Sequence, residues 1–101
     1  MIVRMWHGRV MATQADAYLA FLEARAISDY RSIPGNLSVQ LLRREDGDVT
    51  HFITQTHWAS MDAIAAFAGE DVERAKYYPE DADFLLEYET KVVHYEVAAS
   101  A

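Results

Sequence analysis

Residues 2–10 (IVRMWHGRV) are dense in β-forming side chains and predict a first strand. Thr13 and Asp16 then supply a T-x-x-D helix-start signal. Ala15, Tyr18, Leu19, Leu22, Ala26 and Tyr30 follow at helical spacing. This stripe predicts a helix of about 16 residues with one buried face. Pro34-Gly35-Asn36 breaks the chain. In 37–44 (LSVQLLRR), Leu37, Val39 and Leu41 alternate with Ser38 and Gln40, the period of a second strand. Asp46-Gly47-Asp48 reads as a hairpin turn into a third strand at 49–58 (VTHFITQTHW). Ser60 is an N-cap for a helix over 61–68 (MDAIAAFA). That helix places Met61, Ile64, Ala65 and Phe67/Ala68 on one side, and Gly69 ends it. Another short helical piece is expected within 70–77, and Pro79 is expected to open a single turn at 79–82. A last strand is expected over 88–97 (YETKVVHYEV), with a frayed tail at 98–101.

The order β-α-β-β-α-β is the split βαβ, or ferredoxin-like, pattern. It predicts an α+β fold: a four-stranded antiparallel sheet with both helices on one face, in a single domain spanning 1–101. A sheet covered on one side is expected to alternate apolar and polar residues. This one does not. Phe52, Thr54, Thr56 and Trp58 oppose His51, Ile53, Gln55 and His57 on the third strand. Val3, Met5 and His7 oppose Ile2, Arg4 and Trp6 on the first. Tyr88, Val92 and His94 oppose Val93, Tyr95 and Val97 on the last. Large groups on both faces exceed what a monomer usually exposes, so a homodimer packed sheet against sheet is expected.

Composition narrows the function. The chain has 101 residues, 51% hydrophobic and 25% charged, which is a globular balance. A domain this short buries only about 60–65% of its unfolded surface, so a partner subunit would add stability. It has no cysteine, which excludes disulfides, thiolate zinc sites, Fe–S clusters and cysteine nucleophiles. The net charge of −7 argues against nucleic acid and anionic membrane as partners. No apolar stretch is long enough to span a bilayer, and the N-terminus does not read as a signal peptide, so a cytoplasmic location is expected. Residues 70–89 hold eight acids against Arg74 and Lys76, and the rest of the chain is nearly neutral. Such a run reads as a solvated face, with Arg4 and Arg9 as its expected ion-pair partners and an acidic substrate as the other option for one of them. The four histidines show no metal-ligand spacing, so neither a metal nor any other cofactor is expected.

The stretch Thr56-His57-Trp58-Ala59-Ser60-Met61-Asp62-Ala63-Ile64-Ala65-Ala66-Phe67-Ala68-Gly69 resembles the W-x-S-x-(D/E)-A-(I/L)-x-x-F-x-G segment of the antibiotic biosynthesis monooxygenase family. Pro34-Gly35, the run Tyr77 to Asp81 and the run Val93 to Val97 are similar to one small-protein branch of it, so the resemblance covers about residues 2–97. It implies a dimeric α+β barrel, in agreement with the strand-face pattern. It also implies one of several activities: cofactor-free oxygenation of aromatic polyketides, haem degradation, or modification of quinols and signalling molecules. In the polyketide oxygenases a tryptophan at the place of Trp58 lines a pocket between sheet and helices, with an asparagine four residues earlier. This chain has Thr54 there, which cannot hold a carbonyl and a hydroxyl together as an amide can. The haem-degrading branch uses a histidine on the second helix, and no histidine occurs between 58 and 93.

Two readings follow. In the first, the protein is a cofactor-independent monooxygenase acting on a small aromatic or quinol. His7 is its candidate base, Trp58 and Tyr77 are candidate catalytic groups, and Trp6, Thr54, Phe67 and Tyr78 are candidate substrate contacts. In the second, it is a non-catalytic dimeric module that binds a small apolar ligand or serves as a stress-related protein. His51, His57 and His94 are expected to be interface or structural groups in both.

Overall fold

Strands β1 (Ile2–Met11), β2 (Asn36–Asp46), β3 (Val49–Trp58) and β4 (Val93–Glu96) form one antiparallel sheet in the order β2-β3-β1-β4. The computed structural model describes residues Met1–Ala101. After a 3-10 turn at Ala12–Gln14, α1 (Ala15–Phe21), a π turn (Leu22–Ala26) and α2 (Ile27–Arg31) run on as one helix. A second helix, α3 (Met61–Ala68), follows β3. The fold is α+β and ferredoxin-like, with both helices on one face of the sheet.

That covered face is set by strand alternation. Arg4, Trp6, Gly8 and Val10 of β1 and Thr50, Phe52, Thr54, Thr56 and Trp58 of β3 all point under the helices and are buried. The main core joins Trp6, Val10 and Phe52 to Ala15, Tyr18, Leu22 and Ala26. A smaller cluster joins Trp58 to Ile64 and Phe67 of α3. The other face carries Val3, Met5, His7, His51, Ile53, Gln55 and His57, all half-buried, with Leu42, Val93 and Tyr95 exposed beside them.

Several expectations are corrected. Thr13 lies inside the 3-10 turn, and no side chain caps the helix that follows. The expected helix contains a π turn. Positions four apart drift about 40° around an α-helix per step. The wider π turn takes up that drift and keeps Tyr18, Leu22, Ala26 and Tyr30 on one face. Leu37 falls at a register shift between Asn36 and Ser38 and is half-exposed, so it is not a core residue. Met61 is also exposed. No helix forms within 70–77. Residues 73–75 instead exchange backbone hydrogen bonds with 90–92 (Ala75 N to Thr90 O 3.0 Å, Val92 N to Glu73 O 2.8 Å). This pairing draws residues 90–92 away from β1 and shortens the last strand to four residues.

Ser60 caps α3 as expected, its Oγ accepting from Ala63 N at 3.2 Å, and Gly69 ends that helix with φ +87°. The turn at Pro79–Asp83 is a 3-10 turn opened by proline. No helix is long and apolar enough to cross a membrane.

Candidate functional site

A cleft opens between the covered sheet face, the first helix and the irregular segment 69–78, which lies across it as a strap. β1 contributes Arg4 and Trp6, and β3 contributes Thr54. The first helix contributes Tyr18, Leu22, Ala26 and Tyr30. The strap contributes Lys76, Tyr77 and Tyr78, and Asp81 and Val92 complete the wall. The free space at its centre is about 20 Å³, room for one water molecule and not for a ring. Admitting a ring therefore requires the strap side chains to move.

The polar groups of the cleft are held in a network. Tyr18 Oη donates to Asp81 Oδ1 at 3.0 Å, and Tyr78 N donates to Asp81 Oδ2 at 2.7 Å. Trp6 Nε1 donates to Tyr77 Oη at 3.2 Å, and Tyr77 Oη donates to the Glu89 carbonyl. Tyr78 Oη donates to Asp29 Oδ2 at 2.6 Å. Burial pushes the Tyr18 and Tyr78 phenols up, and a carboxylate beside each adds to the shift. Tyr30 has no carboxylate to bond and is pushed up to about 12, chiefly by burial. Burial also raises the Asp81 carboxyl, against the two hydrogen bonds it accepts.

Arg4 differs from what the charge pattern suggests. It is 3% exposed and makes no ion pair with the acidic segment. Its guanidinium donates to the main chain of the strap instead, from Nη1 to Val72 O at 2.6 Å and from Nη2 to Arg74 O at 3.2 Å. Nη1 also lies 3.2 Å from His94 Nε2. Burial lowers the Arg4 pKa. Arg9 behaves as expected, with a two-pronged pair to Glu87 at 2.6 and 2.7 Å.

Four of the candidate substrate and catalytic residues meet in this cleft: Trp6, Thr54, Tyr77 and Tyr78. Trp58 and Phe67 do not line it. They pack against each other at the neighbouring end of the core, with Trp58 Nε1 donating to Thr56 Oγ1 at 2.8 Å. His7 is not in it either. It lies one residue from Trp6, and strand alternation turns it to the opposite face of the sheet. There it joins a chain across the sheet: Glu89 Oε1 to His7 Nδ1 at 2.8 Å, His7 Nε2 to His51 Nδ1 at 2.9 Å, and His51 Nε2 to Asp46 Oδ2 at 3.0 Å. No cluster of histidine and carboxylate groups has the geometry to hold a metal ion.

Sequence reasoning missed Tyr18, Tyr30 and Asp81 as parts of the site. The first two were visible as members of the helical stripe, but nothing local distinguishes a pocket wall from a core face. Asp81 sat within an acidic run that reads as solvated, and only the tertiary fold buries it.

No curated protein matches the sequence. Among solved structures, a Nitrosomonas europaea protein assigned as an antibiotic biosynthesis monooxygenase is 20% identical, with 98% of this chain and 100% of that chain covered and a TM-score of 0.69. One from Bacillus cereus with the same assignment is 12% identical over 99% of this chain and 95% of that chain, also at 0.69. The haem-degrader MhuD of Mycobacterium tuberculosis, with two haems bound in its active site, is 22% identical over 100% of this chain and 99% of that chain, at 0.63. At these identities the likeness concerns the fold. The sequence pattern of the antibiotic biosynthesis monooxygenases matches residues 1–75, and the chain belongs to that family.

Proposed function

We propose that the protein is a cofactor-independent oxygenase of a small phenol or quinol, bound in the cleft between the sheet and the first helix. The observation that carries this reading is the cleft wall. Trp6, Tyr30 and Tyr77 offer aromatic surface, and the Thr54 hydroxyl and the Asp81 carboxylate lie among them. A ring held there would lose a proton to Asp81, the one carboxylate of the cleft, with Tyr18 holding that carboxylate in place. The electron-rich ring then reduces O2 directly. The radical pair joins as a hydroperoxide at a ring carbon and loses water, so the phenol O–H and one ring C–H plus O2 become two C=O groups plus H2O. The substrate supplies every electron. In this reading Asp81 takes the role first assigned to His7, and Tyr77 serves as a donor at the mouth. Trp58 and Phe67 support the wall from behind.

A second copy belongs to the same reading. The uncovered sheet face carries Val3, Met5, Ile53, Leu42, Val93 and Tyr95, and a homodimer packed through that face would cover them. His7 and His51 would then lie between the two sheets. Haem degradation, the activity named for MhuD, is less well supported. Residues 58–93 hold no histidine to ligate iron, and His94 directs Nε2 at Arg4.

The non-catalytic reading also has support: Thr54 stands where the resemblance to the polyketide oxygenases implies an asparagine, and the resting cleft is nearly filled. Dihydroxynaphthalenes decide between them. Oxygen uptake that Asp81→Asn abolishes and His7→Gln leaves intact supports the oxygenase. Thermal stabilisation without uptake supports a binding module. The absence of both uptake and stabilisation overturns both readings.

A further inference from the structure

The cleft holds two cations that no carboxylate neutralises. Arg4 lies deep in it and Lys76 at its mouth. Neither takes part in an ion pair, although the chain carries sixteen acids against nine bases. The strap crossing Arg4 includes Glu70, Asp71 and Glu73, yet it meets the guanidinium with the carbonyls of Val72 and Arg74. Lys76 Nζ reaches only the Phe67 carbonyl at 3.3 Å and stands over the Phe67 ring. The Arg4 guanidinium lies 5.7 Å from the centre of the same ring. Asp81, the one carboxylate of the cleft, accepts from Tyr18 and Tyr78 and makes no ion pair with either cation.

A buried charge that meets only neutral acceptors is costly unless something offsets it. In a protein rich in carboxylates, such a charge placed on a cleft wall marks a place kept for an anion that arrives from outside. We propose that the cleft takes an aromatic ligand bearing an anionic oxygen, a carboxylate or a phenolate, with that oxygen seated between Arg4 and Lys76. The ring lies against Trp6 and Tyr30. The inference rests on the small-aromatic reading above and sharpens it. For a phenolic substrate, these cations favour the ionised, oxygen-reactive form.

The proposal is tested with three probes of one ring size, 2-naphthoate, 2-naphthalenemethanol and naphthalene, titrated against the full chain by calorimetry. The expected result is binding of 2-naphthoate at least tenfold tighter than the alcohol, as charge-assisted hydrogen bonds predict. Lys76→Gln, at an exposed position, should reduce that preference severalfold. Arg4→Lys, which keeps a charge and loses the fork, should reduce it too. A nitrophenol, which ionises near neutral pH, adds a spectroscopic readout. Its phenolate fraction should rise on binding to the wild type and rise less in Lys76→Gln. Equal binding of naphthoate and alcohol overturns the anion site and leaves the aromatic cleft standing. An anion preference unchanged in both variants also overturns it, because the charge is then met elsewhere. Failure of all three probes to bind removes the aromatic reading and this inference with it.

Discussion

Trp58 is fully buried and ties β3 to α3, with Nε1 satisfied by Thr56 and its ring against Phe67 and Ile64. Truncation to alanine should cost about 3–5 kcal/mol, measured by urea unfolding. That loss is large beside the marginal stability of a domain this size. Trp6 makes a different residue-scale statement. Its ring lies so close to Gly8 that an added Cβ there would sit 2.3 Å from the indole, so the glycine is what lets the ring turn along the cleft wall. His94 carries a pH prediction. Burial, and after it the neighbouring Arg4, lowers its pKa, which suits an imidazole nitrogen accepting from a guanidinium. The unfolded chain therefore binds the proton more readily than the fold does. The stability that His94 contributes is present above the unfolded value near 6.5 and is lost as pH falls from there through the lower folded value. The urea midpoint should fall between pH 7.5 and 5.5, and His94→Gln should flatten that fall.

Turns and irregular turns of helix decide what the elements can build. Gly35 has φ +91°, and an added Cβ would stand 2.5 Å from the Ala63 Cβ of α3. Gly47, at φ +62° in the hairpin, has nothing within 4 Å. Gly47→Ala should therefore cost only the left-handed backbone penalty of about 1–2 kcal/mol. Gly35→Ala should cost clearly more, because α3 must also move. Thermal melts of the two variants side by side check the difference. Strands β1 and β3, the hairpin and α3 with its caps were legible because each rests on local chemistry: β-forming runs, a two-residue turn, a serine cap and a terminal glycine. The π turn and the shortened last strand were not. The first answers to the line of side chains facing the cleft, and the second to backbone bonds offered by a strap fifteen to nineteen residues away.

At the scale of the molecule, the sheet has one face under helices and one without. If two copies close over the bare face, sedimentation at micromolar concentration should give twice the 11.5 kDa of the chain. Tyr95→Asp together with Val93→Asp should shift the population to the monomer, and a wild-type monomer would remove the barrel from the reading. The same two-sidedness explains how the candidate residues sorted. Trp6, Thr54, Tyr77 and Tyr78 met in one cleft, while His7 went to the other face with His51.

By itself, the sequence determined the order of elements, the α+β class and the mixed character of both sheet faces, since these depend on period, caps and turn residues read over short spans. Only the tertiary structure decided which face each strand presents to the helices. Only it showed that Arg4 meets carbonyls rather than acids and that Asp81 is buried inside an acidic run. Those outcomes depend on which distant segment comes to lie over a residue and excludes water from it, and no window of neighbouring residues encodes that.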